Sequence, residues 1–310
     1  METKGTEESF AARIVDAING VFGAQQRNRA IHAKGIVLDA TFTPHPGARE
    51  LSRAPHLQRE STHVTVRFSD FSGNPDVDDA DANARPHGMA LKFHLADGVD
   101  TDILAHSYNG FPVATSEELR EMFLALAGSG ADATHPTAAE RFLSAHPRAR
   151  AFFEAPKPPP VSFGTLAYFG VSSFAFRNAG GGVAVGRYRL EPGAGEQLLS
   201  AEEVARADPD YLRRELRARL VQAPLRFTLL VQLAAPGDRI DDPSEVWPET
   251  RPLVELGLLE IYEVVADSET VEQQLVFAPG AVTDGIEPVD PMTAVRDEAY
   301  GVSYERRRRR

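Results

Sequence analysis

Cysteine is absent from the 310 residues of this sequence. Its absence excludes disulfide bonds, thiolate metal sites, iron–sulfur clusters and a cysteine nucleophile. Any metal must therefore be bound by nitrogen or oxygen ligands. The lack of cysteine is also compatible with a cytoplasmic location, which we expect for this protein.

Long apolar runs, a leader segment and an excess of positive charge are missing as well. No apolar run approaches the ~18 residues of a membrane span, and the N-terminal segment lacks the basic and apolar regions of a signal peptide. The 33 basic residues against 45 acidic ones give a net charge of -12. Such a charge repels nucleic acids and anionic membrane surfaces, so we expect no nucleic-acid partner and no membrane span.

Strand patterns dominate the middle of the sequence. In the stretch THVTVRFS, valine and phenylalanine alternate with polar residues, and the period of two places Arg67 and Ser69 together on the polar face. The stretch GMALKFHL repeats the alternation. Further candidate strands cover residues 33–42, 171–178, 182–192, 225–234 and 257–265. About eight long strands with both faces partly apolar favour a closed barrel over an open sheet.

Helix signals surround these strands. Residues 115–128 open on Thr115 or Ser116 as the N-cap and close on Gly128. Residues 208–220 begin with an aspartate cap and a proline at the first helical position. Strands in the middle with helices around them predict an α+β fold built on a barrel.

The last predicted helix, residues 290–301, carries a candidate metal ligand. Asp290 stands at the N-cap and Gly301 at the position that follows a helix end. Arg296 and Tyr300 are four residues apart and therefore project from the same face. A guanidinium beside the phenol oxygen favours the phenolate, which is the form of tyrosine that binds a metal.

The sequence resembles the haem catalase superfamily, and within it the short catalase-related peroxidases. The motif RAIHAKG at residues 29–35 is similar to the distal histidine motif, residues 66–98 to the barrel segment after it, and residues 284–300 to the proximal helix. The resemblance implies a catalase-like antiparallel eight-stranded β-barrel with flanking α-helices and haem b buried beside the barrel. It also implies one domain over residues 1–310, with no additional C-terminal domain.

The resemblance assigns residues to both sides of the haem. Tyr300 would be the axial ligand of the iron, and Arg296 would keep its phenol ionised. His32 would be the distal general base, since an imidazole can both accept and return a proton near neutral pH. Ser69 would orient that imidazole, and Ile31 would pack beside the haem.

The resemblance also implies a site for the haem propionates. Arg29, Arg67 and Arg307 match arginines that pair with these carboxylates in the family. The forked donors of a guanidinium fit a carboxylate, which makes arginine suitable for this role.

One departure from the family pattern bears on activity. Aligned without gaps from Asp102, with Phe111 on the family's pocket phenylalanine, the position of the distal asparagine falls on His106. An alternative register would place Asn109 there, but it breaks the match at the stretch FPV. Leu119 also stands where the family has an aromatic residue. Both changes argue against efficient catalase turnover and favour larger organic hydroperoxides.

The resemblance therefore predicts a haem peroxidase of the oxidative stress response. It would reduce hydrogen peroxide or, preferentially, organic hydroperoxides, oxidise a small electron donor and show weak catalase activity. Two alternatives stay open: a dehydratase of fatty-acid hydroperoxides similar to allene oxide synthase, and a haem-binding protein without catalytic activity. Association into a homo-oligomer is compatible with the resemblance.

Overall fold

The structure, a computed structural model, describes residues 8–24, 27–58, 60–96 and 98–308. Its helices are α1 (Phe10–Phe22), α2 (Ala48–Leu51), α3 (Ser116–Ala127), α4 (Ala138–Ala145), α5 (Pro147–Glu154), α6 (Ala201–Val204), α7 (Tyr211–Gln222), α8 (Ser268–Gln274) and α9 (Met292–Arg308). Its strands are β1 (Gly35–Pro44), β2 (Thr62–Ser69), β3 (Gly88–His94), β4 (Asp100–His106), β5 (Tyr168–Phe169), β6 (Phe174–Arg177), β7 (Val183–Pro192), β8 (Leu225–Leu233), β9 (Leu253–Val264) and β10 (Ile286–Pro288).

Eight antiparallel strands close into a barrel. The order is β7, β5, β4, β3, β2, β1, β9 and β8, and β8 pairs again with β7 to complete the ring. Strands β6 and β10 extend the sheet from the β7 side. The predicted eight-stranded barrel with flanking helices is confirmed.

Alternation along the strands places one set of side chains in the barrel interior. Val64, Val66 and Phe68 of β2 are completely buried there, with Leu91 and Phe93 of β3 beside them. Burial of a side chain of this size stabilises a fold by about 1.5–3 kcal/mol. The interior is thus a packed apolar core, and any site must lie outside it.

The outer face of β2, β3 and β4 is covered as well. Ser69 pairs with Gly88, and Gly88 pairs with His106, so these positions form one row across three strands. Arg67 lies on the same face two residues before Ser69, and both side chains are buried although the sequence assigns them to a polar face. This covered outer face forms one wall of a cavity.

Helix α7 begins later than the sequence predicts. Its first residue is Tyr211 rather than the position after Asp208. The carboxylate of Asp208 accepts the N–H of Asp210, and the carboxylate of Asp210 pairs with Lys34 at 2.9 Å. These contacts hold residues 208–210 in a turn, so the predicted start was wrong by two residues.

Helix α9 continues through Gly301, so the predicted end at this residue was wrong. Asp290 does accept the N–H of Met292 at 2.9 Å near the start, as its predicted capping role requires. Beyond Gly301, Ser303 Oγ accepts the N–H of Ala30 at 3.3 Å, and the terminal arginines pair with other parts of the fold. Such contacts outweigh the ~1 kcal/mol that an internal glycine costs a helix. None of the helices in the described ranges has the length and apolar composition to cross a membrane.

Candidate active site

A cavity lies between the outer face of β2–β4 and helices α1 and α9. The empty space within it and at its opening to solvent amounts to about 950 Å³. The sequence-predicted residues in its wall are Arg29, Ile31, His32, Arg67, Ser69, His106, Arg296, Tyr300 and Arg307. The predicted residue outside this wall is Phe111. Its ring centroid lies 5.6 Å from Cζ of Arg296 and 6.5 Å from the centroid of the His106 ring.

His32 is held rigidly in the loop before β1. Its backbone has φ of 57°, a left-handed conformation that is unusual for a residue with a side chain. Its N–H donates to the carbonyl of Phe71 at 2.9 Å, which fixes this conformation. The His32 and Phe71 rings are nearly perpendicular, with their centroids 5.5 Å apart. Nδ1 of His32 lies 3.1 Å from Ser69 Oγ, which is hydrogen-bond distance. The predicted pairing of His32 with Ser69 is thus present in the structure.

The environment of His32 keeps its imidazole neutral. Burial, followed by the positive charge of Arg67, lowers the pKa of His32 to about 3. A neutral imidazole retains a lone pair and can accept a proton from a bound ligand. The side chain is therefore in the protonation state that a general base requires.

Gly88 provides the space for this pair, and the sequence offered no signal for that role. A Cβ at Gly88 would lie 2.7 Å from Ser69 Oγ and 2.9 Å from His32 Nδ1. Neither distance is compatible with normal packing. Only glycine at the start of β3 lets the imidazole lie over the strand.

His106 is a second neutral imidazole in the cavity wall. Burial, followed by the charge of Arg296, lowers its pKa to about 3. Its Nδ1 is buried and has no hydrogen-bond partner in the part of the chain that the structure describes. Asn109, the alternative candidate for this position, instead donates from Nδ2 to Glu249 at 3.1 Å. Leu119 packs between α1 and α3 and does not contribute to the cavity wall.

One face of α9, near the C-terminal end of the sequence, also lines the cavity. Arg296, Tyr300, Ser303 and Arg307 recur at intervals of three and four residues and all line the cavity. The guanidinium of Arg296 donates to Ser172 Oγ at 3.2 Å rather than to the phenol oxygen. That Arg296 stabilises a Tyr300 phenolate stays a prediction. Without a direct hydrogen bond, the guanidinium would act on the phenol through its positive charge.

Three arginines come together beside the cavity. Arg29 and Arg307 both donate to the carbonyl of Leu275, at 2.8 and 2.5 Å. Arg29 and Arg67 both donate to one carboxylate oxygen, Oε1 of Glu272. The arginines predicted to bind propionates therefore form one cluster, which we call the arginine triad.

The residues around the cavity fit a haem group. A phenol is one of the few side chains that bind haem iron, and Tyr300 supplies one in the wall. The arginine triad provides donors for two carboxylates, and Val15 and Ile18 of α1 provide apolar surface for a porphyrin. The Nδ1 of His106 is a buried polar atom without a partner in the described residues, and a bound ligand or water can supply one.

The catalase family model matches residues 24–308. The chain belongs to the catalase family. A catalase-related peroxidase from Mycolicibacterium paratuberculosis is 38% identical, with 94% of this chain and 93% of that protein covered. A catalase-related peroxidase from Synechococcus elongatus is 30% identical, with 96% and 88% covered. As a member of the catalase family, the protein is a haem-dependent oxidoreductase that acts on peroxide.

Solved catalase structures share the fold. A fungal catalase superposes with a TM-score of 0.80 at 18% identity, over 92% of this chain and 60% of that one. A bacterial catalase gives 0.77 at 20% identity, over 91% and 57%. The chain thus matches somewhat more than half the length of these catalases and nearly the full length of the two peroxidase relatives.

Proposed function

We propose that this protein is a peroxidase that uses haem b to reduce organic hydroperoxides in preference to hydrogen peroxide, with oxidation of a small electron donor. The observation that carries the proposal is the pair of neutral imidazoles, His32 and His106, in one cavity with the phenol of Tyr300. The names of the two peroxidase relatives support the choice of peroxidase over catalase.

Helix α9 would hold the cofactor. Tyr300 would bind the iron through its phenol oxygen, and the charge of Arg296 on the same helix face favours the ionised phenol. The arginine triad would bind the two propionates. Haem b, when bound, supplies a redox-active iron that takes oxidising equivalents from a peroxide and passes them to a donor.

His32 would move the proton of the hydroperoxide. Its neutral imidazole would accept the hydroperoxide proton and return it to the oxygen that leaves, so that an alcohol or water departs rather than an anion. Ser69, 3.1 Å from Nδ1, fixes the ring orientation for both steps. Positioning of this kind accounts for a large part of the rate of a proton transfer.

His106 would set the choice of substrate. Its unpartnered Nδ1 lies in the cavity wall and can hydrogen-bond a hydroperoxide. A histidine at this position is bulkier than the family's asparagine and takes space from a second hydrogen peroxide. Weak catalase activity follows from this replacement.

The proposal is tested by comparing kcat/KM for cumene hydroperoxide and hydrogen peroxide with a phenolic donor, alongside the absorption spectrum. Wild type should show a high-spin ferric spectrum of the tyrosinate type and favour the organic substrate. His106→Asn should increase oxygen release from hydrogen peroxide, whereas His135→Asn, an exposed histidine beside Glu140, should not. A Soret band unaltered by Tyr300→Phe, or a preference for hydrogen peroxide in wild type, would refute the assignment.

Two further measurements separate the alternatives. A fatty-acid hydroperoxide incubated without a donor should stay largely unreacted, and formation of allene oxide or ketol would favour the dehydratase. His32→Ala should remove donor oxidation. Equal rates for this variant and wild type would favour a haem-binding protein without catalytic activity.

A further inference from the structure

Glu272 of α8 is the acidic partner of the arginine triad. Its Oε1 accepts from Arg29 Nη1 at 3.0 Å and from Arg67 Nε at 2.9 Å, and Arg67 Nη2 donates to the same atom. Its backbone carbonyl accepts from Arg29 Nη2 at 3.2 Å. One carboxylate oxygen and one carbonyl therefore fix two guanidinium groups at once.

Glu272 contacts these arginines but does not itself line the cavity. All three arginines of the triad line the cavity, whereas Glu272 is not among the lining residues. The Glu272 side chain is 14% exposed, and those of Arg29 and Arg67 are 13% and 4% exposed. Arg29 and Arg67 thus contact the Glu272 carboxylate and the cavity at the same time.

The charges of the cluster do not cancel without a ligand. Three arginines and one glutamate leave two positive charges in a largely buried place. Burial and the charge of Arg67 lower the pKa of Arg29, and burial lowers that of Arg307 to about 10. Although burial opposes its ionisation, the charges of Arg67 and Arg29 hold the pKa of Glu272 below its usual value. A ligand with two carboxylates would complete the balance.

We propose that Glu272 is a positioning residue for haem: it fixes Arg29 and Arg67 by hydrogen bonds without lining the cavity, and it leaves the triad with the two positive charges that two propionates neutralise. The inference rests on the proposed haem cofactor. Without Glu272, the apoprotein would bury three uncompensated cations and would depend on the propionates for most of their compensation.

The test compares thermal unfolding of Glu272→Gln and wild type in three states of the full chain: without haem, with haem and with haem dimethyl ester, whose propionates carry no charge. The apoprotein of the variant should lose about 5–10 °C in Tm, since breaking a buried ion pair is costly. Haem should restore most of this loss and the ester should not. Glu269→Gln, an exposed glutamate on the same helix, should match wild type in every state.

A second variant covers the case in which Glu272→Gln does not fold. Glu272→Gln combined with Arg29→Gln restores the original net charge, so its apoprotein should be folded and more stable than the single variant. No gain in the double variant would overturn the inference. The inference would also be overturned if Glu272→Gln lost the same Tm with and without haem, or if haem and its dimethyl ester restored the Tm equally. Neither result would contradict the proposed haem cofactor, provided that wild type shows a Soret band. Wild type without a Soret band would overturn both.

Discussion

Gly88→Ala is the most direct test of how the barrel shapes the site. The substitution adds one methyl group to β3, at the point where the His32 imidazole lies over the strand. The new Cβ would be 2.7 Å from Ser69 Oγ and 2.9 Å from His32 Nδ1, against 3.4 Å or more for ordinary contact. One or both side chains must therefore move by about 0.5–0.7 Å.

A movement of this size breaks the contact between His32 and Ser69. Their atoms are 3.1 Å apart, and an increase of half an ångström exceeds hydrogen-bond distance. Loss of one such bond costs about 1 kcal/mol, or roughly fivefold, and a misplacement near 1 Å costs up to about 100-fold. We expect Gly88→Ala to lower kcat/KM by about 5- to 100-fold, within these two limits.

The assay is donor oxidation by a hydroperoxide, normalised to haem content from the Soret band. Gly130→Ala is the control, because a Cβ at Gly130 meets no atom within 4 Å. Ser69→Ala removes the atom nearest to the new methyl group, so the effects of the two substitutions should fall short of additive by at least about 0.5 kcal/mol. A Gly88→Ala enzyme within twofold of wild type, or strictly additive losses, would refute the reasoning.

Two predictions concern stability. His56, buried beside Phe93 with ring centroids 4.8 Å apart, has a pKa lowered by burial from 6.5 to about 4. Because only the unfolded chain is protonated between these values, the free energy of unfolding falls as the pH drops from 6.5 to 4, by about 2 kcal/mol at pH 5. We expect His56→Phe to lose this acid sensitivity when the free energy of unfolding is measured with urea at pH 7.5 and pH 5. If the free energies of the variant and wild type differ by the same amount at both pH values, the prediction is wrong. Gly301→Ala should raise the free energy of unfolding by about 0.5–1 kcal/mol, because a Cβ there meets no atom within 4 Å and α9 is continuous; a lower Tm would contradict this.

Local patterns predicted the strands that carry the site, but not how their faces are covered. Alternation in β2 separates Val66 and Phe68 from Arg67 and Ser69, and the structure keeps this division. The polar face nevertheless lies in a cavity wall and not in solvent. Period two reports which side chains share a face; what packs on that face depends on α1 and α9, which are distant in sequence.

The same limit explains why Glu272 could not be predicted. It lies 243 residues from Arg29 and 205 from Arg67, and its own helix has only seven residues. The end of α9 was missed for a related reason. Gly301 is a local signal for a helix end, whereas the contacts of Ser303 and Arg307 that extend the helix come from other elements.

The register of the barrel links the stability of the core to the chemistry of the site. Ser69, Gly88 and His106 occupy one row because β2, β3 and β4 pair in a single register. A slip of β3 by one residue would turn Leu91 out of the core and place a side chain opposite Ser69, since successive residues of a strand point to opposite faces. Burial of Leu91 therefore holds Gly88 in place, and with it the space that His32 occupies. Apolar residues that do not line the cavity, such as Leu91, thus determine where the His32 imidazole can lie.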